Sequence, residues 1–133
     1  MDRRLLVDTG VLVDIERALV DPATVDFDDD VRMSIVSLSE YMVGIALAQP
    51  VYRPRMQQLL DRVLRAVPVV PYDEEIQPTH VELLAWTRRH GCPRAQHDLI
   101  IAATAVATGR ILVTTDHKAR FDGLPGLEVT YVR

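Results

Sequence analysis

Residues 94–116, RAQHDLIIAATAVATGRILVTTD, carry the pattern that decides the fold. From Ala95 to Gly109 the alanines and the almost continuous apolar surface predict a helix buried against a sheet, with Gly109 ending it. Residues 111–113 then predict a strand, and Thr114-Thr115-Asp116 leads the chain off its end. Upstream, residues 5–7 predict a strand ending at Asp8, followed by a tight turn at Thr9-Gly10. A helix is expected over residues 11–19, with Val11, Ile15, Ala18 and Leu19 on one side. Residues 33–36 predict another strand, passing through Ser37 into a helix from about Leu38 to Ala48.

The remaining segments fit between these units. DPATVDFDDD at 21–30 reads as an acidic turn or short surface element. Residues 55–66 form an amphipathic pattern with Met56, Leu59, Leu60, Val63 and Leu64 as its apolar stripe. Residues 67–70 resemble a short buried strand stopped by Pro71, and a helix is expected over 73–90 with Pro78 in its first turns or kinking it. Residues 127–132, LEVTYV, supply a last strand. Alternating strands and helices imply an α/β fold whose mainly parallel sheet is covered on both faces.

A chain of 133 residues suits one domain spanning 1–133, and 48% hydrophobic with 26% charged residues is the balance of a folded protein. No run reaches the roughly 18 apolar residues that cross a bilayer. Asp8 and Asp14 interrupt what might pass for a secretion signal. The lone Cys92 excludes an intrachain disulfide, and the expectation is a cytoplasmic protein with no membrane partner. A formal net charge of -4 argues against a strong nonspecific grip on nucleic acid through the whole surface. Every basic residue except Lys118 is Arg, which suits bidentate phosphate contacts but equally reflects genomic base composition.

Four acids then share one address. Asp8 and Asp116 each follow a strand, Glu40 lies near a helix start, and Asp98 stands at the head of the alanine-rich helix beside Leu99, Ile100 and Ile101. In parallel sheets ligands bind beyond the carboxyl ends of the strands. Oxygen ligands of this kind suit Mg²⁺ or Mn²⁺, and no CxxC pair or HExxH run points to zinc. Each acid also has an ordinary reading. Asp8 could cap a helix, Ser37-x-x-Glu40 matches a capping box, Asp98 could favour a helix N-terminus, and Asp116 could start a turn. The set carries the signal rather than any member.

The segments LLVDTGVLVDIERA, SIVSLSEYMVG, HDLIIAATAVATGRILVTTD and the closing F-DGLPGLEV resemble PIN-domain ribonucleases, in particular the VapC toxins of bacterial toxin-antitoxin pairs. The resemblance implies a PIN-like three-layer α/β/α sandwich and Mg²⁺- or Mn²⁺-dependent endoribonuclease activity. It further implies RNA as substrate, a homodimer, and neutralisation by a cognate VapB-type antitoxin. The family's acids fall on Asp8, Glu40, Asp98 and Asp116, and its hydroxyl residue near the site falls on Thr114. Two positions depart from the family: Gly10 stands where relatives carry Ser or Asn, and Arg120 precedes Phe121 where many carry an acid, with Asp122 nearby.

The implied chemistry is hydrolysis of an RNA phosphodiester, with Asp8, Asp98 and Asp116 holding the cation and Glu40 binding it or orienting water. Arg94, Arg110 and Arg120 are candidate phosphate contacts, or ordinary solvated charges. His97 and His117 adjoin Asp98 and Asp116 with weaker claims, and Trp86, Tyr41 and Tyr52 read as packing residues. A metal-dependent phosphatase and a noncatalytic PIN-like interaction module are the alternatives. The D-T-G of residues 8–10 also occurs in dimeric aspartic proteases, but the helices expected here do not suit that mostly β class.

Overall fold

A computed structural model describes residues 2–26 and 28–132, so Met1, Phe27 and Arg133 lie outside the described residues. Five strands, β1 (Arg4–Val7), β2 (Asp30–Ser34), β3 (Val69–Val70), β4 (Ile111–Thr114) and β5 (Val129–Tyr131), form one sheet. Their order is β3-β2-β1-β4-β5, and every neighbouring pair is parallel. Five α-helices connect them: α1 (Thr9–Glu16), α2 (Ile35–Leu47), α3 (Arg53–Ala66), α4 (Gln77–Arg89) and α5 (Gln96–Ala107). Among the described residues no helix is long and apolar enough to cross a membrane.

Side chains alternate across a strand, so each strand feeds both faces of the sheet. Leu6 and Leu112 pair in register and enter a core with Leu83 of α4 and Leu99, Ala102 and Ala103 of α5. Leu5, Val7 and Val113 enter the opposite core with Val11 and Val13 of α1 and Leu59 and Val63 of α3. The result is a three-layer α/β/α sandwich. The alanines of α5 are what let it sink between sheet and α4, because a methyl group permits close approach at no rotamer cost. Gly109 ends this unit with φ +64°, a left-handed conformation that glycine adopts without strain.

Several boundaries differ from the sequence expectation. Helix α1 starts at Thr9, immediately after Asp8, so no tight turn intervenes; it stops at Glu16, Ala18 adopts φ 58°, and Leu19 is solvent-exposed. Strand β2 ends at Ser34, whose hydroxyl accepts from the Val36 N–H at 3.1 Å and so starts α2 three residues before the expected serine. Helix α4 begins at Gln77, with Pro78 tolerated in its first turn where no intrahelical N–H is needed. Among the described residues of the acidic 21–30 segment, Pro22–Thr24 form a 3-10 turn capped by Asp21.

Candidate active site

Asp8 occupies the cap position of α1, yet its side chain makes no capping bond. Its backbone is held instead: the Asp8 N–H donates to the Val113 carbonyl at 2.9 Å, and its own carbonyl accepts from Val11 at 2.9 Å. The freed carboxylate turns to β4, where the Thr114 hydroxyl donates to Oδ2 at 3.1 Å. That same hydroxyl accepts the Asp116 N–H at 3.0 Å. Thr114 thus joins the two acids that leave adjacent strands.

Asp116 does initiate a turn, with Oδ1 accepting from the N–H groups of Lys118 at 3.0 Å and Ala119 at 3.2 Å. Asp98 lies in the first turn of α5, whose cap, Ala95, has no side chain to offer the free N–H groups. Glu40 is not the closing member of a capping box, because Ser34 caps α2 and Ser37 is already inside it. Ser37 serves another purpose: its hydroxyl meets that of Thr9 at 2.9 Å, buried between α1 and α2. Glu40 itself reaches α5, with His97 Nδ1 3.3 Å from its Oε1.

The charges of the four acids register on one another. Burial raises the Asp8 pKa, and the charges of Asp116 and Asp98 add to the rise against the Thr114 hydrogen bond. Burial likewise raises Asp98, with Asp116 adding and His97 opposing. Glu40 is raised by burial first and then by Asp98, while His97 draws it down and Asp8 adds to the rise. Among the described residues, no Lys or Arg forms an ion pair with Asp8, Asp98 or Asp116. A cluster of carboxylate oxygens with little compensating charge has the donor chemistry of a hard divalent cation site.

A second acidic group went unnoticed in the sequence, where it read only as a polar turn. Asp26, Asp28 and Asp29 place one ligand atom each within 4.8 Å of one another, a spacing that could hold a divalent cation; the quartet is more open than this. The group precedes β2 and so lies at the amino edge of the sheet, opposite Asp8 and Asp116. Its electrostatics differ: the Arg3 guanidinium lies 2.7 Å from Asp29 and 3.8 Å from Asp26.

The arginine candidates separate. Arg110 is buried at the amino edge, donating to the Asp30 carbonyl at 2.8 Å and to its carboxylate at 3.3 Å, so it is no rim residue. Its guanidinium satisfies strand-end carbonyls that a surface reading of the charge does not anticipate. Arg94 and Arg120 do flank the site, but as a clasp: Arg94 donates to the Arg120 carbonyl at 2.8 Å and to the Cys92 carbonyl at 2.7 Å, and Arg120 donates to Pro93 at 2.9 Å. They tie the loop before α5 to the loop after Asp116. Tyr52 is 60% exposed rather than packed, whereas Trp86 and Tyr41 do border the cores.

The family model for the PIN domain matches residues 5–125. The chain belongs to the PIN-domain family. This PIN domain is 25% identical to Ribonuclease VapC1 of Rickettsia felis over 129 residues, which is 96% of either chain. Among solved structures it is similar to VapBC2 from Rickettsia felis bound to a DNA fragment from their promoter, at TM-score 0.83 and 20% identity, covering 98% of this chain and 99% of that one. It is also similar to VapBC-5 from Mycobacterium tuberculosis, at TM-score 0.78 and 26% identity over 97% of this chain and 98% of that one. The PIN domain is therefore VapC-like in sequence and fold, and its acidic residues are consistent with metal-dependent nuclease activity.

Proposed function

We propose that this PIN domain is a divalent-cation-dependent endoribonuclease and the toxin of a toxin-antitoxin pair. The reading is supported by the gathering of Asp8 and Asp116 at adjacent strand ends through the Thr114 hydroxyl, with Asp98 at the head of α5 and Glu40 reaching α5 at His97. Asp8, Asp98 and Asp116 would hold Mg²⁺ or Mn²⁺, with Glu40 beside them. A bound cation of this class supplies Lewis acidity to a phosphate and lowers the pKa of water. Glu40, whose carboxylate lies 3.3 Å from His97 Nδ1, would bind the cation or orient the attacking water and accept its proton. Thr114 holds the Asp8 carboxylate, and the Thr9–Ser37 hydroxyl pair fixes α1 against α2, and with them the segments bearing Asp8 and Glu40. Attack of water on phosphorus breaks one P–O bond of the RNA backbone, and the leaving oxygen takes up a proton.

A hollow of about 460 Å³ lined by Arg17, Tyr41, Tyr52, Arg55 and Met56 includes no member of the quartet. By analogy with the VapBC relatives the partner is a cognate VapB-type antitoxin; the sequence resemblance adds a homodimer acting in the cytoplasm. The test compares wild type and Asp98→Ala on total cellular RNA with Mg²⁺, Mn²⁺ or a chelator, with cut ends mapped and a phosphomonoester as parallel substrate. RNA cleavage by wild type that is lost in the variant and in chelator supports the proposal. Equal cleavage by both proteins, or turnover of the phosphomonoester alone, overturns it.

A further inference from the structure

His117 follows Asp116 directly, and its ring stacks on that of Tyr131 with centroids 4.2 Å apart and planes inclined by 16°. Tyr131 ends β5 as the register partner of Thr114, the residue that holds Asp8. The stack is thus fixed to the carboxyl edge of the sheet, one strand from the acids. Tyr131 forms its inner layer: the ring is half-buried, and its hydroxyl is enclosed beside Asp122. His117 forms the outer layer and is exposed. One face of its imidazole lies against Tyr131, and the residue as a whole is exposed. The turn that presents it is tied on both sides, by the Asp116 carboxylate to Lys118 and Ala119 and by the His117 carbonyl to the Arg120 N–H at 3.2 Å.

We propose that His117, backed by Tyr131, is a stacking platform for the nucleobase adjoining the scissile phosphate. The proposal rests on the ribonuclease reading above and adds to it the group that grips the substrate beside the reacting bond. The chain carries a formal charge of -4, and its site is built from carboxylates, so phosphate contacts alone give a weak hold. Base stacking on a ring is indifferent to phosphate charge and tolerant of sequence. Arg94 and Arg120, on the loops that flank the site, spend several of their donors on backbone carbonyls, which strengthens the case for a grip by stacking.

A second pair serves as the internal control. His90 stacks on Trp86 with centroids 4.2 Å apart and planes at 19°, at the end of α4; among the described residues its ring nitrogen meets the Trp86 carbonyl and no acid of the quartet. The experiment uses a short single-stranded RNA containing the cleavage site mapped with wild type, carrying 2-aminopurine beside the scissile bond. Wild type, His117→Ala, His117→Phe and His90→Ala are compared for KM, kcat and 2-aminopurine quenching, with circular dichroism confirming the fold. His117→Ala is expected to raise KM roughly 5- to 150-fold with little change in kcat, the loss of one stacked base. The same variant loses the quenching, His117→Phe restores both, and His90→Ala matches wild type. Unchanged KM and quenching in His117→Ala overturn the platform, as does failure of His117→Phe to restore them. Absence of RNA cleavage by wild type overturns the ribonuclease reading itself, a separate and recognisable result.

Discussion

Replacing Thr114 by Val removes one hydroxyl from the centre of the site while keeping the β-branched shape at a position that is 1% exposed. Two hydrogen bonds go with it, the one donated to Asp8 and the one accepted from the Asp116 N–H. A bond between neutral groups contributes about 1 kcal/mol and one to a charged group about 1.5–3 kcal/mol, so the variant should lose about 2–4 kcal/mol. Unfolding entropy near 2.1 cal/mol/K per residue converts that loss, for a domain of this size, to a fall in Tm of about 7–14 °C. Thermal melts followed by circular dichroism in chelator read it directly. The cleavage rate should fall about 10- to 100-fold, the usual effect of losing a partner that orients a metal ligand. Thr114→Ser, which retains the hydroxyl, should recover most of the activity. A Tm within 2 °C of wild type for the valine variant, whatever its activity, would refute the role given to this hydroxyl.

Two further outcomes follow from the acids. Asp8→Asn should reduce cleavage beyond the about 10- to 100-fold of a supporting partner, yet raise Tm in chelator at pH 7. The Asp8 pKa is raised in the folded state, so its ionised form costs stability above the ordinary carboxylate range; that advantage of the variant should vanish as pH falls below about 4, which melts across pH will read. Asp29 runs the other way: the Arg3 guanidinium and backbone N–H groups hold its carboxyl down at about 2. Its contribution is whole above the unfolded value of about 3.9 and is lost as pH drops through about 2, so Asp29→Asn should flatten the acid limb of the stability curve. An unchanged acid limb in that variant counts against the Arg3 pairing.

Sheet polarity made the placement of much of the candidate site legible in the sequence. Asp8 and Asp116 needed only a parallel sheet to share an edge, and the alanine-rich pattern placed Asp98 at the head of α5. Glu40 was located for a less secure reason, because Ser34 and Ser37 both precede apolar residues and the sequence does not mark which one caps the helix. The continuous run from Met33 to Leu38 has no glycine or proline to separate strand from helix, so β2 was displaced toward its end. What holds the acids was not readable from local spacing. The Thr9–Ser37 hydroxyl pair, the His97–Glu40 contact and the His117–Tyr131 stack each join segments far apart in the chain, and none leaves a local signature. Arg110 was misassigned because a charge in isolation reads as surface, whereas here it is buried on strand-end oxygens.

The two edges of the sheet treat carboxylates in opposite ways, and the contrast bears on what the quartet is for. At the amino edge Asp29 and Asp30 face Arg3 and Arg110, and both carboxyls are held below their ordinary range by those partners. Stabilising charge is therefore supplied from within the chain. At the carboxyl edge Asp8, Glu40 and Asp98 are all raised, by burial and by one another, and the nearby Arg94 and Arg120 are directed at backbone carbonyls instead. An arrangement that served stability alone would turn one of those guanidiniums toward Asp98 or Asp116. With those guanidiniums turned away, the negative charge at this edge is offset within the chain only by His97 beside Glu40 and Asp98, which is consistent with the proposed divalent-cation site.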